Sequence, residues 1–67
     1  MKNEILIATR KQSGKTQKQV AIEIGIAEVT YKAYEQGTRT PSAPIGNSIA
    51  KAFSTTSEKL FGYFIPN

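Results

Sequence analysis

The 67-residue chain contains no cysteine, no histidine and no aspartate. Without cysteine there is no disulfide framework to staple a small fold, and the absence fits an intracellular protein. Without cysteine or histidine the Cys/His metal sites and the Cys- or His-based nucleophiles and bases are excluded. The only acids are Glu4, Glu23, Glu28, Glu35 and Glu58, scattered along the chain with no paired-carboxylate or nucleophile–base constellation. The expectation is therefore no catalysis, no metal and no cofactor. No apolar run is long enough to span a bilayer, and the opening MKNEILIATRK lacks the apolar core of a signal peptide. A cytoplasmic setting without a membrane partner follows as an expectation. Repeats, linkers and low-complexity stretches are also missing, so residues 1–67 read as one domain, near the lower limit for folding alone.

Positive charge is what the chain has in excess. Nine Lys and Arg oppose five Glu, a formal net charge of +4, which favours polyanionic partners. The rest of the chain is organised around Gln17–Glu35, QKQVAIEIGIAEVTYKAYE. Gln17, Val20, Ala21 and Ile24 recur at i, i+3, i+4 and i+7 and share one helix face. Ala21 is small enough for a second helix to approach closely. Gly25 suits the left-handed position that ends a helix, and Ile26 plugs the corner. In the helix that follows, Tyr31 and Tyr34 fall on one side. At about 100° per residue, Glu28, Val29, Lys32 and Ala33 fall on the other. The pattern is a helix-turn-helix over 17–35 whose second helix presents a mixed surface outward.

Three more helices flank this unit. Asn3 can cap a first helix running to about Ser13 and stopping at Gly14, with Ile5 and Leu6 as its inner face. Ile7 on that helix is either exposed or covered by the C-terminal end. Thr16 can cap the second helix, whereas Ala27, at the expected cap of the third, carries no acceptor. Gly37 is the expected left-handed cap after Gln36. Ser42 is expected to cap a fourth helix, with Pro44 in its first turn and Ile45, Ile49, Ala52 and Phe53 as its buried stripe. Gly46 within it costs about 1 kcal/mol relative to Ala. A fifth helix is expected near Ser57–Tyr63, with Thr55 and Glu58 at capping-box spacing and Leu60 and Phe61 facing the core. Tyr63, Phe64 and Ile65 form an apolar end: a partner surface or a cover for the first helix.

Several of these residues in order carry a resemblance. Thr16-Gln17, Ala21, Gly25, Tyr34-Glu35-x-Gly37 and Pro41-Ser42 resemble the helix-turn-helix of phage repressors, Cro proteins and their Xre-like bacterial relatives. Arg10 and Gly14 upstream, and IAKAF…EKLF downstream, extend the match over nearly the whole chain. The resemblance implies an all-α, compact five-helix bundle of the lambda-repressor-like DNA-binding type. It implies a transcriptional regulator, phage-borne or from a mobile element, that binds a double-stranded DNA operator. A homodimer on paired half-sites is expected, since one small module rarely buries enough surface for specificity. At this length there is no room for a separate ligand domain, so no small-molecule ligand is expected. The alternative is a protein-interaction module, antitoxin-like or an adaptor subunit, on the same scaffold.

With the third helix in a major groove, its outward residues Ala27, Glu28, Val29, Lys32 and Ala33 become the base-reading set. Glu28 can accept from cytosine N4, Val29 can pack on a thymine methyl, and Lys32 can donate to guanine or phosphate. The plainer reading is a solvated helix face, against which an apolar residue among charges tells slightly. Thr16 and Gln17 stand at a helix N-terminus, where N–H groups and the dipole favour phosphate, and the family uses the matching Gln to grip the backbone. Arg39, with Thr38 and Thr40, follows the third helix and can hold a second phosphate, although lone loop arginines are often merely solvated. Lys18, with Lys11 and Lys15, supplies a general positive field around the same turn. The resemblance gives Arg10 and Glu35 a structural role, a partly buried ion pair tying the first helix to the third. Tyr31 and Tyr34 read as core rather than as stacking platforms. Ile22, opposite the buried face of its helix, is either an isolated surface isoleucine or part of a contact surface.

Overall fold

A computed structural model describes residues 2–62; Tyr63, Phe64 and Ile65 lie outside the described residues. Five helices follow one another: α1 Glu4–Ser13, α2 Gln17–Ile24, α3 Glu28–Gln36, α4 Ala43–Ala52 and α5 Ser57–Phe61. The fold is the all-α bundle expected of the chain. Helix α2 packs on α3 and α4, α1 on α5 and α3, and α4 on α5. Their shared interior is Leu6, Val20, Ala21, Tyr31, Tyr34, Ile49, Ala50 and Leu60, with Ile24, Ile26, Ile45, Phe53 and Phe61 packed around it. No helix among the described residues is long and apolar enough to cross a membrane.

Caps explain most of the boundaries. Asn3 accepts from the Leu6 N–H to start α1, and Gly14 ends it in the left-handed region. Thr16 and Gln19 form a reciprocal capping box at α2, which the Thr-x-x-Gln spacing already contained. At Gly25 (φ +80°) and Gly37 (φ +77°) the chain turns in the left-handed conformation. After each turn the next residue reaches back to the helix: Ile26 N–H donates to the Ala21 carbonyl and Thr38 N–H to the Ala33 carbonyl. Both ends are the six-to-one closure of a Schellman motif.

Several expectations need correction. Ile5 does not belong to the inner face of α1: it is 57% exposed, and only Leu6 is fully buried there. Adjacent helical positions lie about 100° apart, so the turn that points Leu6 into the core carries Ile5 round towards solvent. Ser42 occupies the N-cap position of α4, but its side chain makes no capping bond. The cap of α5 is Thr56, which accepts from the Lys59 N–H, rather than the expected Thr55. Helix α5 ends at Phe61, because Gly62 turns left-handed directly after it. Gly46 and Ala50 are buried in α4, small residues that a search for large apolar side chains passes over.

Ala27 begins α3 with extended backbone and no side-chain cap. Replacement by Ser supplies an acceptor for a first-turn N–H, so Ala27→Ser is expected to raise unfolding free energy by about 1 kcal/mol in denaturant melts. No gain would mean that the first turn of α3 is already satisfied.

Candidate nucleic-acid interface

Helix α3 is held from behind and open in front. Tyr31, Tyr34 and Glu35 are buried on its inner side, while Val29 stands 75% exposed on the outer side. Lys32 Nζ lies 3.6 Å from Glu28 Oε2, an i, i+4 pair half-exposed on the same face. Ala33 beside them is half-buried, and Ala27 is exposed at the helix start. Glu28, Val29, Lys32 and Ala33 thus share the outward side of the helix, with Ala27 at its start.

The inner side is fixed by a carboxylate. Glu35, 3% exposed, receives Arg10 Nε at 2.6 Å on Oε2. On Oε1 it receives Arg10 Nη2 at 3.4 Å and Gln17 Nε2 at 2.9 Å. Arg10 Nη1 also donates to the Lys15 carbonyl at 3.1 Å. One carboxylate therefore fastens α1, the start of α2 and the end of α3. Burial pushes the Glu35 pKa up, but the hydrogen bond from Arg10, the neighbouring Tyr31 hydroxyl, the hydrogen bond from Gln17 and the Arg10 charge together outweigh it, and the net direction is down. The hydrogen bond to Glu35, against a smaller opposing effect of burial, holds the Arg10 guanidinium above its ordinary value.

Tyr31 completes this group. Its ring is fully buried, and burial first, then Glu35, push the hydroxyl pKa up. The buried hydroxyl nevertheless makes no hydrogen bond. Leaving such a group unpaired costs about 1–3 kcal/mol.

The residues expected at phosphates are engaged to different degrees. Gln17 does not stand out from the start of α2: its amide is turned inward to Glu35. The Thr16 hydroxyl accepts from Gln19 N–H as a cap. The Thr38 hydroxyl donates to the Ala33 carbonyl at 3.3 Å, so it fastens the end of α3. Lys18, Arg39 and Thr40 are exposed. Arg39 and Thr40 line an open hollow of about 440 Å³ with Lys2, Asn3, Ile5 and Pro41, at the start of α1. Lys15 differs from the free field charge expected of it. Its ammonium bonds Glu23 at 2.8 Å and the Ala52 carbonyl at 3.3 Å, and lies 5.9 Å from the centre of the Phe53 ring. The lysine joins α2 to the end of α4 instead. Its spacing in sequence from Glu23 gave no helical signal of this, because Lys15 precedes α2 and is not one of its helical positions.

Two short helices joined through Gly25, the first braced and the second exposed, define the helix-turn-helix class. The chain belongs to the Xre and lambda-repressor-like helix-turn-helix family, whose model matches residues 6–60. That family comprises DNA-binding regulators. No curated protein and no solved structure matches the chain.

The depressed Glu35 pKa gives a pH signature. Its folded value lies below the ordinary 4.5, so the stabilisation is complete above the unfolded pKa and is lost as pH falls through the folded one. Glu35→Gln is expected to cost about 3 kcal/mol at neutral pH, because Arg10 is left uncompensated, and the gap from the parent should narrow as pH falls below the ordinary carboxylate range. Equal unfolding curves for the two proteins at neutral pH would show that the pair contributes nothing.

Proposed function

We propose that the protein is a sequence-specific repressor or Cro-like regulator that sets α3 into the major groove of double-stranded DNA and binds paired half-sites as a homodimer. The observation that carries this reading is Val29. A fully presented valine between Glu28 and Lys32, on a helix anchored by its other face, suits a surface that reads thymine methyl and base-edge groups together. Ala27 and Ala33 flank it with small apolar contacts. Lys18, Arg39 and Thr40, with the N–H groups at the start of α2, supply the backbone contacts that set register. Thr16 and Thr38 shape those two edges through their hydrogen bonds, and Gln17 joins the phosphate contacts when its amide turns outward.

Ile22, 69% exposed on α2, favours a second reading in which the same scaffold captures a protein. The two separate cleanly. Salt-dependent binding to duplexes supports the regulator, and tight protein capture without DNA affinity supports the interaction module. Selection from random duplexes is the direct test, because it reports binding, sequence preference and half-site spacing together.

Two variants divide register from reading. Arg39→Ala is expected to weaken specific and non-specific binding alike and to lower the salt slope by about one unit; an unchanged slope removes Arg39 from the interface. Glu28→Ala and Val29→Ala should each relax preference at one or two base pairs by about 1–3 kcal/mol. Glu28→Ala should also hold or raise non-specific affinity, since Lys32 loses its neutralising partner. Selection of the parent's operator by both variants would show that sequence is read elsewhere.

A further inference from the structure

The Glu35 site holds a donor that it does not use. Glu35 Oε1 is served by Gln17 at 2.9 Å and only distantly by Arg10 Nη2 at 3.4 Å. The Tyr31 hydroxyl, carried one helical turn before Glu35 on the same buried side of α3, feels the Glu35 charge but makes no hydrogen bond of its own. Buried hydroxyls are rarely left so, and one that persists beside a carboxylate calls for a physical reason. We propose that Tyr31 is the spare donor of this network: when Gln17 turns its amide to a DNA phosphate, the Tyr31 hydroxyl donates to the Glu35 oxygen that Gln17 has left. The proposal rests on the DNA-binding reading above and gives Tyr31 a positioning role in it.

The physical argument is one of balance. Glu35 is almost wholly removed from water, so a carboxylate oxygen that lost its best donor would subtract its own desolvation from whatever the phosphate contact contributed. A hydroxyl can turn about its Cζ–Oη bond with the ring still in the core, and the carboxylate, no longer held by Gln17, can close onto it. Burial and the adjacent negative charge keep this hydroxyl protonated, so it remains a donor throughout the working pH range. The exchange keeps the ion pair intact while the start of α2 changes partner. Gln17 thereby moves between two acceptors at little cost, and the unpaired hydroxyl of the free protein is resolved only on DNA.

The test is a double-mutant cycle between Tyr31→Phe and Gln17→Ala, read by titration with a pool of short random-sequence duplexes. Tyr31→Phe should fold with at least the parent's stability and bind about fivefold more weakly, the worth of one hydrogen bond. In the Gln17→Ala background the same change should have no effect on binding. Salt slopes should match the parent's in all variants, since neither side chain is charged. Parent-like binding by Gln17→Ala would remove the phosphate contact and the proposal with it, whereas no DNA binding by the parent would overturn the regulator itself. If Gln17→Ala weakens binding and Tyr31→Phe does not, the amide keeps Glu35 and uses its second N–H on the phosphate, and the spare-donor role falls. An equal loss in both backgrounds would mark a packing effect and overturn it too. The carbon-13 resonance of Tyr31 Cζ in the unaltered protein provides a second reading. It should shift when duplex is added, and an unmoved resonance rejects the exchange.

Discussion

The pair between Arg10 and Glu35 is the contact on which the arrangement of the first three helices depends. At 2.6 Å and nearly out of solvent, it carries the usual difficulty of a buried ion pair: attraction must offset the desolvation of both charges. The remaining oxygen and guanidinium hydrogens are therefore matched to Gln17 and to the Lys15 carbonyl. Apolar packing alone would allow α1 and α3 to slide, because dispersion contacts have little direction. A carboxylate gripped from two sides sets both distance and rotation. The outward face of α3 takes its bearing from that grip, so a polar interaction in the core determines which side chains the helix presents to solvent.

Helix α3 is unequal at its two ends. Its C-terminal end is closed by Gly37, by the Thr38 N–H and hydroxyl on the Ala33 carbonyl, and by Glu35. Its N-terminal end, where the proposed base readers sit, has no side-chain cap. A helix fastened at the back and open at the front leaves first-turn N–H groups available to acceptors from outside the protein. A missing cap is a modest cost in the free fold and, on the proposed DNA-binding reading, a useful feature where the surface meets phosphate.

Much of this was legible in the residues. Gly14, Gly25 and Gly37 ended the helices where expected, since a left-handed residue is a local requirement that sequence displays directly. The spacing of Val20, Ala21, Tyr31 and Tyr34 gave the core, because one helix period decides burial. Polar contacts across turns were not legible. Lys15 read as a field charge until its carbonyl and aromatic partners came together in space, and Gln17 read as an outward residue until Glu35 lay beneath it. The shift from Thr55 to Thr56 at α5 has a similar origin. Ser54 adopts a left-handed φ of +54°, an end signal that serine rarely gives, so the register of the following cap was displaced by one. The roles of individual side chains on DNA are proposals, but the surface that they share follows from helix geometry.

Asn3 illustrates a different consequence. Its side chain accepts from Leu6 to start α1 and donates to the Leu60 carbonyl at 2.8 Å, while its backbone N–H donates to the Glu35 carbonyl at 2.7 Å. The beginning of the first helix is thus joined to the last helix, across nearly the whole sequence. Such a contact forms only after the intervening helices have drawn their ends together. During synthesis on the ribosome, Asn3 emerges early and has to wait for Leu60. The helix-turn-helix unit, built from contacts between near neighbours, can assemble while α1 still lacks its final partner. Closure of the bundle therefore coincides with the arrival of its fifth helix, and a nascent chain stopped short of residue 60 would carry the helix-turn-helix on an unlatched fold.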